Sequence, residues 1–177
     1  MRFVTNPTKV QRLAEELQDE NWTFRAWIKS DFCLDDEQLM SVVQWLAEDV
    51  TAQIDCTTCA NCCQVLAPSL NQDDLQRLAR ALDLDVTTLQ TTYLRQDESG
   101  IWELPAPCPL LDGKLCRVYD ARPKPCREYP HLYNDFRSHS IARIHDTFIC
   151  PIVFNVVEGM KVDLGWDASD ELDWYPW

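Results

Sequence analysis

Four thiols stand within eight residues in the run Cys56-Thr57-Thr58-Cys59-Ala60-Asn61-Cys62-Cys63, and two-residue gaps let a loop curl so that successive sulfurs reach one metal ion or cluster. A second set follows at wider spacing: Cys108, Cys116, Cys126 and Cys150. Thiolates in groups of four are soft ligands that favour zinc or an iron-sulfur cluster over magnesium or calcium, and softness alone leaves the choice between those two open. The candidate metal ligands are therefore Cys56, Cys59, Cys62, Cys63, Cys108, Cys116, Cys126 and Cys150, and the expected cofactor is an iron-sulfur cluster or zinc. The adjacent pair Cys62-Cys63 is awkward: in extended backbone neighbouring side chains point to opposite sides, so the two sulfurs serve different centres or only one ligates. One four-sulfur site with leftovers and two four-sulfur sites both fit the count. Cys33 lies outside both runs and reads as a structural or free thiol. His131, His139 and His145 read as surface or core residues rather than ligands.

The formal charge of -13 sets up a field that repels phosphate backbones and anionic lipid surfaces, so neither nucleic acid nor membrane is an expected partner. Against that background, five of the sixteen basic residues, Lys114, Arg117, Arg122, Lys124 and Arg127, fall in the stretch that holds Cys116 and Cys126. There they could donate to sulfur and tune a centre whose thiolates carry negative charge. The N-terminal residues Met1 to Pro7 contain no apolar stretch of the kind a secretory signal needs, and no later segment approaches the ~20 apolar residues of a membrane span. The expected location is cytoplasmic, where thiols stay reduced and a dense cysteine pattern reads as metal binding or redox chemistry before it reads as a disulfide framework.

The elements that must position these thiols are mainly helical. Pro7 opens a helix whose stripe is Val10, Leu13, Ala14 and Leu17, and a second helix over Asp35 to Ala52 carries Leu39, Val42, Val43, Leu46 and Val50. Trp22, Trp27 and Trp45 read as core residues. Asn71 caps a helix bearing Leu75, Leu78, Ala79 and Leu82, and a shorter one covers Val86 to Leu94, the two forming a helical hairpin. From Ile101 to Pro130, six of the ten prolines deny the chain long helices. Within that stretch Leu110-Leu111-Asp112-Gly113-Lys114-Leu115 reads as a tight hairpin turning at Asp-Gly, which draws Cys108 and Cys116 together. A last helix begins at Pro151 and runs to about Gly159. The fold class is thus mainly α with a small irregular β-ribbon, a single metal-stabilised cysteine-rich domain. Its segments are an N-terminal helical stretch (1–53), a cysteine-cluster region (54–159) and a tail (160–177). The tail interleaves Asp163, Asp167, Asp170, Glu171 and Asp173 with Trp166, Trp174, Tyr175 and Trp177, and either docks on a protein partner's basic groove or folds back on its own domain.

The ordered motifs Cys56-x-x-Cys59-x-x-Cys62-Cys63, Cys108-Pro109-Leu110-Leu111 with Cys116, Tyr119-Asp120-Ala121-Arg122-Pro123-x-x-Cys126-Arg127-x-Tyr129-Pro130, and Cys150-Pro151 resemble the CxxCxxCC family of zinc- or iron-chelating cysteine-cluster proteins of the YkgJ type. The resemblance spans about residues 54 to 155. A glycine common after the second cysteine is here Ala60. The resemblance implies metal binding, redox-active with an iron-sulfur cluster and structural with zinc. Through family members similar to flagellin lysine N-methylases, it also implies an alternative as a protein-modifying enzyme. A further alternative is an assembly or interaction factor acting through the acidic tail. The residues themselves support the enzyme less: no two of the four glycines share a G-x-G spacing, so the nucleotide-approaching turn of a common cofactor fold is absent. A thioredoxin-like setting around Cys56 is missing too.

Overall fold

Asparagine and aspartate side chains set where four of the longer helices begin. The computed structural model describes residues 3–30 and 34–168. In chain order its elements are α1 (Pro7–Glu16), α2 (Gln18–Lys29), α3 (Asp36–Thr51), α4 (Cys56–Cys59), α5 (Asn61–Val65), α6 (Gln72–Ala81), α7 (Val86–Tyr93), β1 (Arg95–Gln96), β2 (Trp102–Glu103), β3 (Leu111–Asp112), β4 (Leu115–Cys116), a 3-10 turn (Tyr119–Ala121), α8 (Lys124–Glu128), α9 (Ser140–Asp146) and α10 (Pro151–Asp163). Asn6 caps α1 by accepting from the Lys9 amide at 3.0 Å, with Pro7 in the first turn. Asp35 does the same for α3 through Gln38 at 2.7 Å, and Asp85 for α7 through Thr88 at 2.8 Å. On α6 the cap is reciprocal: Asn71 accepts from the Asp74 amide at 2.8 Å while Asp74 accepts from the Asn71 amide at 3.3 Å. Each such cap stabilises its helix by about 1 kcal/mol. The architecture is mainly α, with two antiparallel two-stranded ribbons, β1-β2 and β3-β4. No single described helix is long and apolar enough to cross a membrane.

These elements sort into two compact units, Met1–Asp55 with Pro130–Trp177 (the terminal unit) and Cys56–Tyr129 (the cysteine unit). At Pro130 the chain returns to the terminal unit, which therefore includes Cys150.

The terminal unit is organised around α10, buried along nearly its whole length and packed on α1, α3 and α9. Gly159 lies where a Cβ would meet Leu46 Cδ2 at 2.8 Å, so it lets α10 approach α3 rather than ending the helix. The stop comes later than the sequence suggests. Gly165, at φ +65°, sends its amide to Val162 O, and the Trp166 amide reaches Lys161 O at 2.9 Å, the hydrogen-bond pattern of a glycine-terminated helix. Buried polar groups along α10 are paired. The Asn155 amide exchanges two hydrogen bonds with the Val4 backbone (2.9 and 2.8 Å), and the Lys161 ammonium bridges Glu20 at 2.9 Å and Glu158 at 2.7 Å. Arg137 ties the end of α2 to the start of α3 by donating to Ile28 O, to Leu34 O at 2.5 Å and to Asp36 at 2.6 Å.

One core expectation fails. Trp45 is 58% exposed on α3, because Leu46, Val43, Val50 and Ala47 already form the buried stripe and Trp45 falls on the opposite side of the turn. Trp22 and Trp27 are half-buried. Of the aromatic tail, Trp166 packs edge-on against Phe24 at 5.2 Å, while residues 169–177, and Cys33 with its neighbours at 31–33, lie outside the described residues.

In the cysteine unit, α6 and α7 form the expected hairpin and contribute Leu75, Leu78, Ala79 and Leu89 to a cluster completed by Leu70, Leu104, Leu110 and Val118. Cys108 and Cys116 pack against that cluster. The β3-β4 ribbon forms where the sequence places it, with Leu111 opposite Cys116 and Asp112 opposite Leu115. The turn is therefore Gly113-Lys114 rather than Asp-Gly. Gly113 has φ +59°, whereas Asp112 is a strand residue, so the single left-handed position falls on the residue without a Cβ.

Candidate metal centre

The thiol-bearing run is folded by a left-handed residue in its middle. Ala60, buried at φ +57°, separates α4 from α5; its amide donates to Cys56 O at 3.2 Å and its carbonyl accepts from the Cys63 amide at 3.1 Å. That conformation suits glycine better than alanine, so the departure at this position costs strain, of order 1 kcal/mol, without removing a ligand. Cys62 and Cys63 follow on α5 and are helical, not extended. Helical neighbours are separated by ~100° around the axis rather than facing opposite ways. Their sulfurs accordingly lie 4.0 Å apart, and both residues are half-buried.

A loop and two further elements bring thiols from later in the chain. The Cys108 amide donates to Cys63 O at 2.8 Å, joining the two cysteine-bearing stretches through their backbones. Cys116 ends β4, and α4, with Cys56 and Cys59 at its two ends, packs on that strand. Cys126 sits on the five-residue α8, whose first amide, Lys124 N, donates to Asp74 Oδ1 at 2.7 Å. Asp74 is buried, so one carboxylate both completes the α6 cap and fixes the start of the helix that carries Cys126. Nothing in the local sequence marks Asp74 for the second role, since its partner is fifty residues away.

Electrostatics shows which thiols are neighbours. Burial pushes the Cys126 thiol up to about 12, aided by the charges of Cys63, Cys108 and Cys116 and opposed by Arg122. Cys108 is raised by burial, with Leu110 opposing through a backbone hydrogen bond and Cys63 and Cys116 adding to the rise. Cys63 moves the other way, to about 7, because the Cys62 thiol hydrogen-bonds it; burial opposes that and Arg122 assists. Of the five basic residues near the second cysteine set, Arg122 acts on both Cys63 and Cys126 and is itself held by its surroundings. Its guanidinium lies 3.8 Å over the Tyr119 ring, its Nε donates to Tyr119 O at 3.0 Å, and Arg127 donates to its carbonyl at 2.5 Å.

Cys63, Cys108, Cys116 and Cys126 thus form one electrostatic neighbourhood, and Cys56, Cys59 and Cys62 lie in the same unit. Cys150 belongs to the terminal unit, buried at the start of α10. All eight are thiols rather than disulfides. Among the described residues no set of three or more His, Cys, Asp or Glu side chains is closed around a point able to hold a metal ion. The chemistry of the donor set nonetheless suits a soft cation: half-buried thiols that resist ionisation through desolvation and mutual repulsion are relieved of both by a bound positive charge. The histidines take other parts: His139 Nδ1 lies 2.8 Å from Asp135 O, and His145 meets Trp22 edge-on at 5.5 Å.

No curated protein and no solved structure matches the chain. A family model does, over residues 55–149 and so over more than half the chain; it is described as "Putative zinc- or iron-chelating domain", and the chain belongs to this CxxCxxCC family.

Proposed function

We propose that the cysteine unit binds zinc, or iron as an iron-sulfur cluster, through cysteine thiolates, acting as a structural centre in the first case and a redox centre in the second. The observation that carries this reading is the electrostatic convergence of Cys63 on α5, Cys108 in the loop before β3, Cys116 on β4 and Cys126 on α8, with the Cys108 amide bonded to the Cys63 carbonyl and with Cys56, Cys59 and Cys62 in the same unit. Membership in a zinc- or iron-chelating family supports it independently. Cys150 enters the ligand set on the sequence motif alone. A bound metal would supply the positive charge that lets the half-buried thiols Cys108 and Cys126 ionise, and Arg122, which favours ionisation of Cys63 and Cys126, would assist from its place over Tyr119. Thiols kept reduced suit a cytoplasmic setting.

Metal and acid-labile sulfide analysis of anaerobically purified protein tests the reading. Stoichiometric zinc without sulfide supports the structural centre, and iron with matching sulfide and charge-transfer absorption supports the cluster. A folded chain that is colourless and metal-free, and that takes up neither metal on reconstitution, overturns the reading.

A further inference from the structure

Polar atoms shut away from solvent without a hydrogen-bond partner are rare in folded chains, because each has lost its bonds to water and gained nothing in return. Among the described residues six side-chain atoms are in that state, and five of them sit on two helices: Asn21 Nδ2, Asn21 Oδ1 and Arg25 Nε on α2, and Ser140 Oγ and Arg143 Nε on α9. The sixth, Trp166 Nε1, belongs to the ring that packs on Phe24 of α2. Asn21 is 0% exposed, Ser140 1% and Arg143 5%.

The two helices pack on one another. Trp22 meets His145 edge-on at 5.5 Å, and Arg137, just ahead of α9, donates to Ile28 O near the end of α2, so the pair runs antiparallel. Asn21 and Arg25 stand four residues apart on α2, and Ser140 and Arg143 three apart on α9, so each pair shares one face of its helix. Asn21, Ser140 and Arg143 are on the buried faces. With Trp22 level with His145, Asn21 lies within about one helical turn of Arg143 across the interface, and Arg25 within about one turn of Ser140.

The chemistry of these atoms selects what bridges them. The amide nitrogen and the two Nε groups only donate, Oδ1 only accepts, and the serine hydroxyl does either. Exchanging the two amide atoms of Asn21 alters nothing, since both lack partners. An anion would serve the donors and leave Oδ1 unpaired, and Arg143 already holds the Asp146 carboxylate at 2.8 Å. A cation would serve Oδ1 alone and face two guanidiniums. Water both donates and accepts, and adds no charge to the interior.

We propose that α2 and α9 enclose a hydration site in which about two ordered waters bridge Asn21 and Arg25 to Ser140 and Arg143, a buried water making about three hydrogen bonds. All four residues belong to the terminal unit, so the site is independent of the metal-binding reading.

Water oxygen-17 relaxation dispersion on the full-length chain, which counts waters held for longer than the molecule takes to tumble, tests this together with thermal unfolding. Asn21→Leu keeps the size of the side chain and removes both amide atoms. It should lose about two long-lived waters relative to wild type and lower Tm by a few degrees, because the atoms on Arg25, Ser140 and Arg143 lose their bridge. Ser140→Ala is the smaller change and should lose at least one such water, a second route should the Asn21 variant fail to fold. Were the amide atoms unbridged, Asn21→Leu would instead raise Tm, since it removes polar atoms buried at a cost. That rise, a dispersion amplitude that neither variant changes, or a Tm gain in sulfate over chloride at equal ionic strength that Arg25→Met abolishes, would each overturn the hydration site.

Discussion

In the terminal unit a thirteen-residue helix is buried between three others, whereas in the cysteine unit the thiols ride on a four-residue helix, two five-residue helices and a two-residue strand. Helices that short are unstable in isolation, and a two-stranded ribbon is marginal by itself. The terminal unit holds its shape by burying Phe24, Leu39, Ile152, Val153, Val156 and Met160; the cysteine unit has an apolar cluster under α6, α7 and the ribbon, but the run Cys56 to Val65 contributes no residue to it. Charge divides in the same way. The cysteine unit carries eight basic and ten acidic residues, the remainder of the chain eight and nineteen, so the acidity of the protein lies mostly away from the thiols. The contrast teaches that one unit is specified by side-chain packing along its central helix, whereas in the other the first thiol-bearing run lies outside the apolar cluster that holds the rest together.

Metal removal should separate the two most sharply. With a strong chelator and a reductant present, hydrogen exchange across Cys56–Tyr129 should accelerate by orders of magnitude while α3 and α10 keep their protection, since structural thiolate sites contribute on the order of 10 kcal/mol. Equal losses in both units, or none in either, would break the comparison. The converse lesion is Phe154→Ala, which opens a cavity against Val10 and Ala14 and should lower stability by about 3–5 kcal/mol with metal content per folded chain unchanged. Denaturant unfolding with metal analysis of the folded fraction reads both quantities.

A smaller change ties structure to ligands within the cysteine unit. Asp74→Ala removes a cap worth about 1 kcal/mol and frees Lys124 N, so it should weaken metal binding through Cys126 as well as stability. Asn71→Ala removes the same cap without touching α8, and metal competition that fails to distinguish the two variants would refute the positioning role. The mildest effect is on reactivity with pH. In metal-free protein Cys63, at about 7, becomes thiolate as pH rises through neutrality, so its alkylation rate should climb between about pH 6 and 8 and then level. Cys126, held near 12, should stay unreactive over that range, and metal should protect both.

Much of this was open to reading along the chain. The cap at Asn71, the stripes of α1, α3 and α6, Pro151 opening α10 and the ribbon at Gly113 are local signals, because a helix end or a tight turn depends on residues a few positions apart. The thiols, their grouping and the family they indicate were legible for the same reason: spacing within a run is a property of the sequence. Trp45 misled because its apolarity says nothing about which side of α3 faces the core once Leu46, Val43 and Val50 fill it. Gly159 misled because a glycine that ends a helix and one that admits a neighbouring Leu46 look alike in one dimension.

What the sequence determined by itself was therefore which atoms are available for chemistry and which short segments coil or turn around them. Tertiary structure alone decided that Cys62 and Cys63 lie side by side rather than back to back, that Asp74 anchors the helix of Cys126, that Arg122 is the cation set against Tyr119 beside the thiols, and that Cys150 falls in the other unit. Those outcomes depend on contacts between residues tens of positions apart, and such contacts are fixed only when the apolar clusters close and choose which distant segments meet.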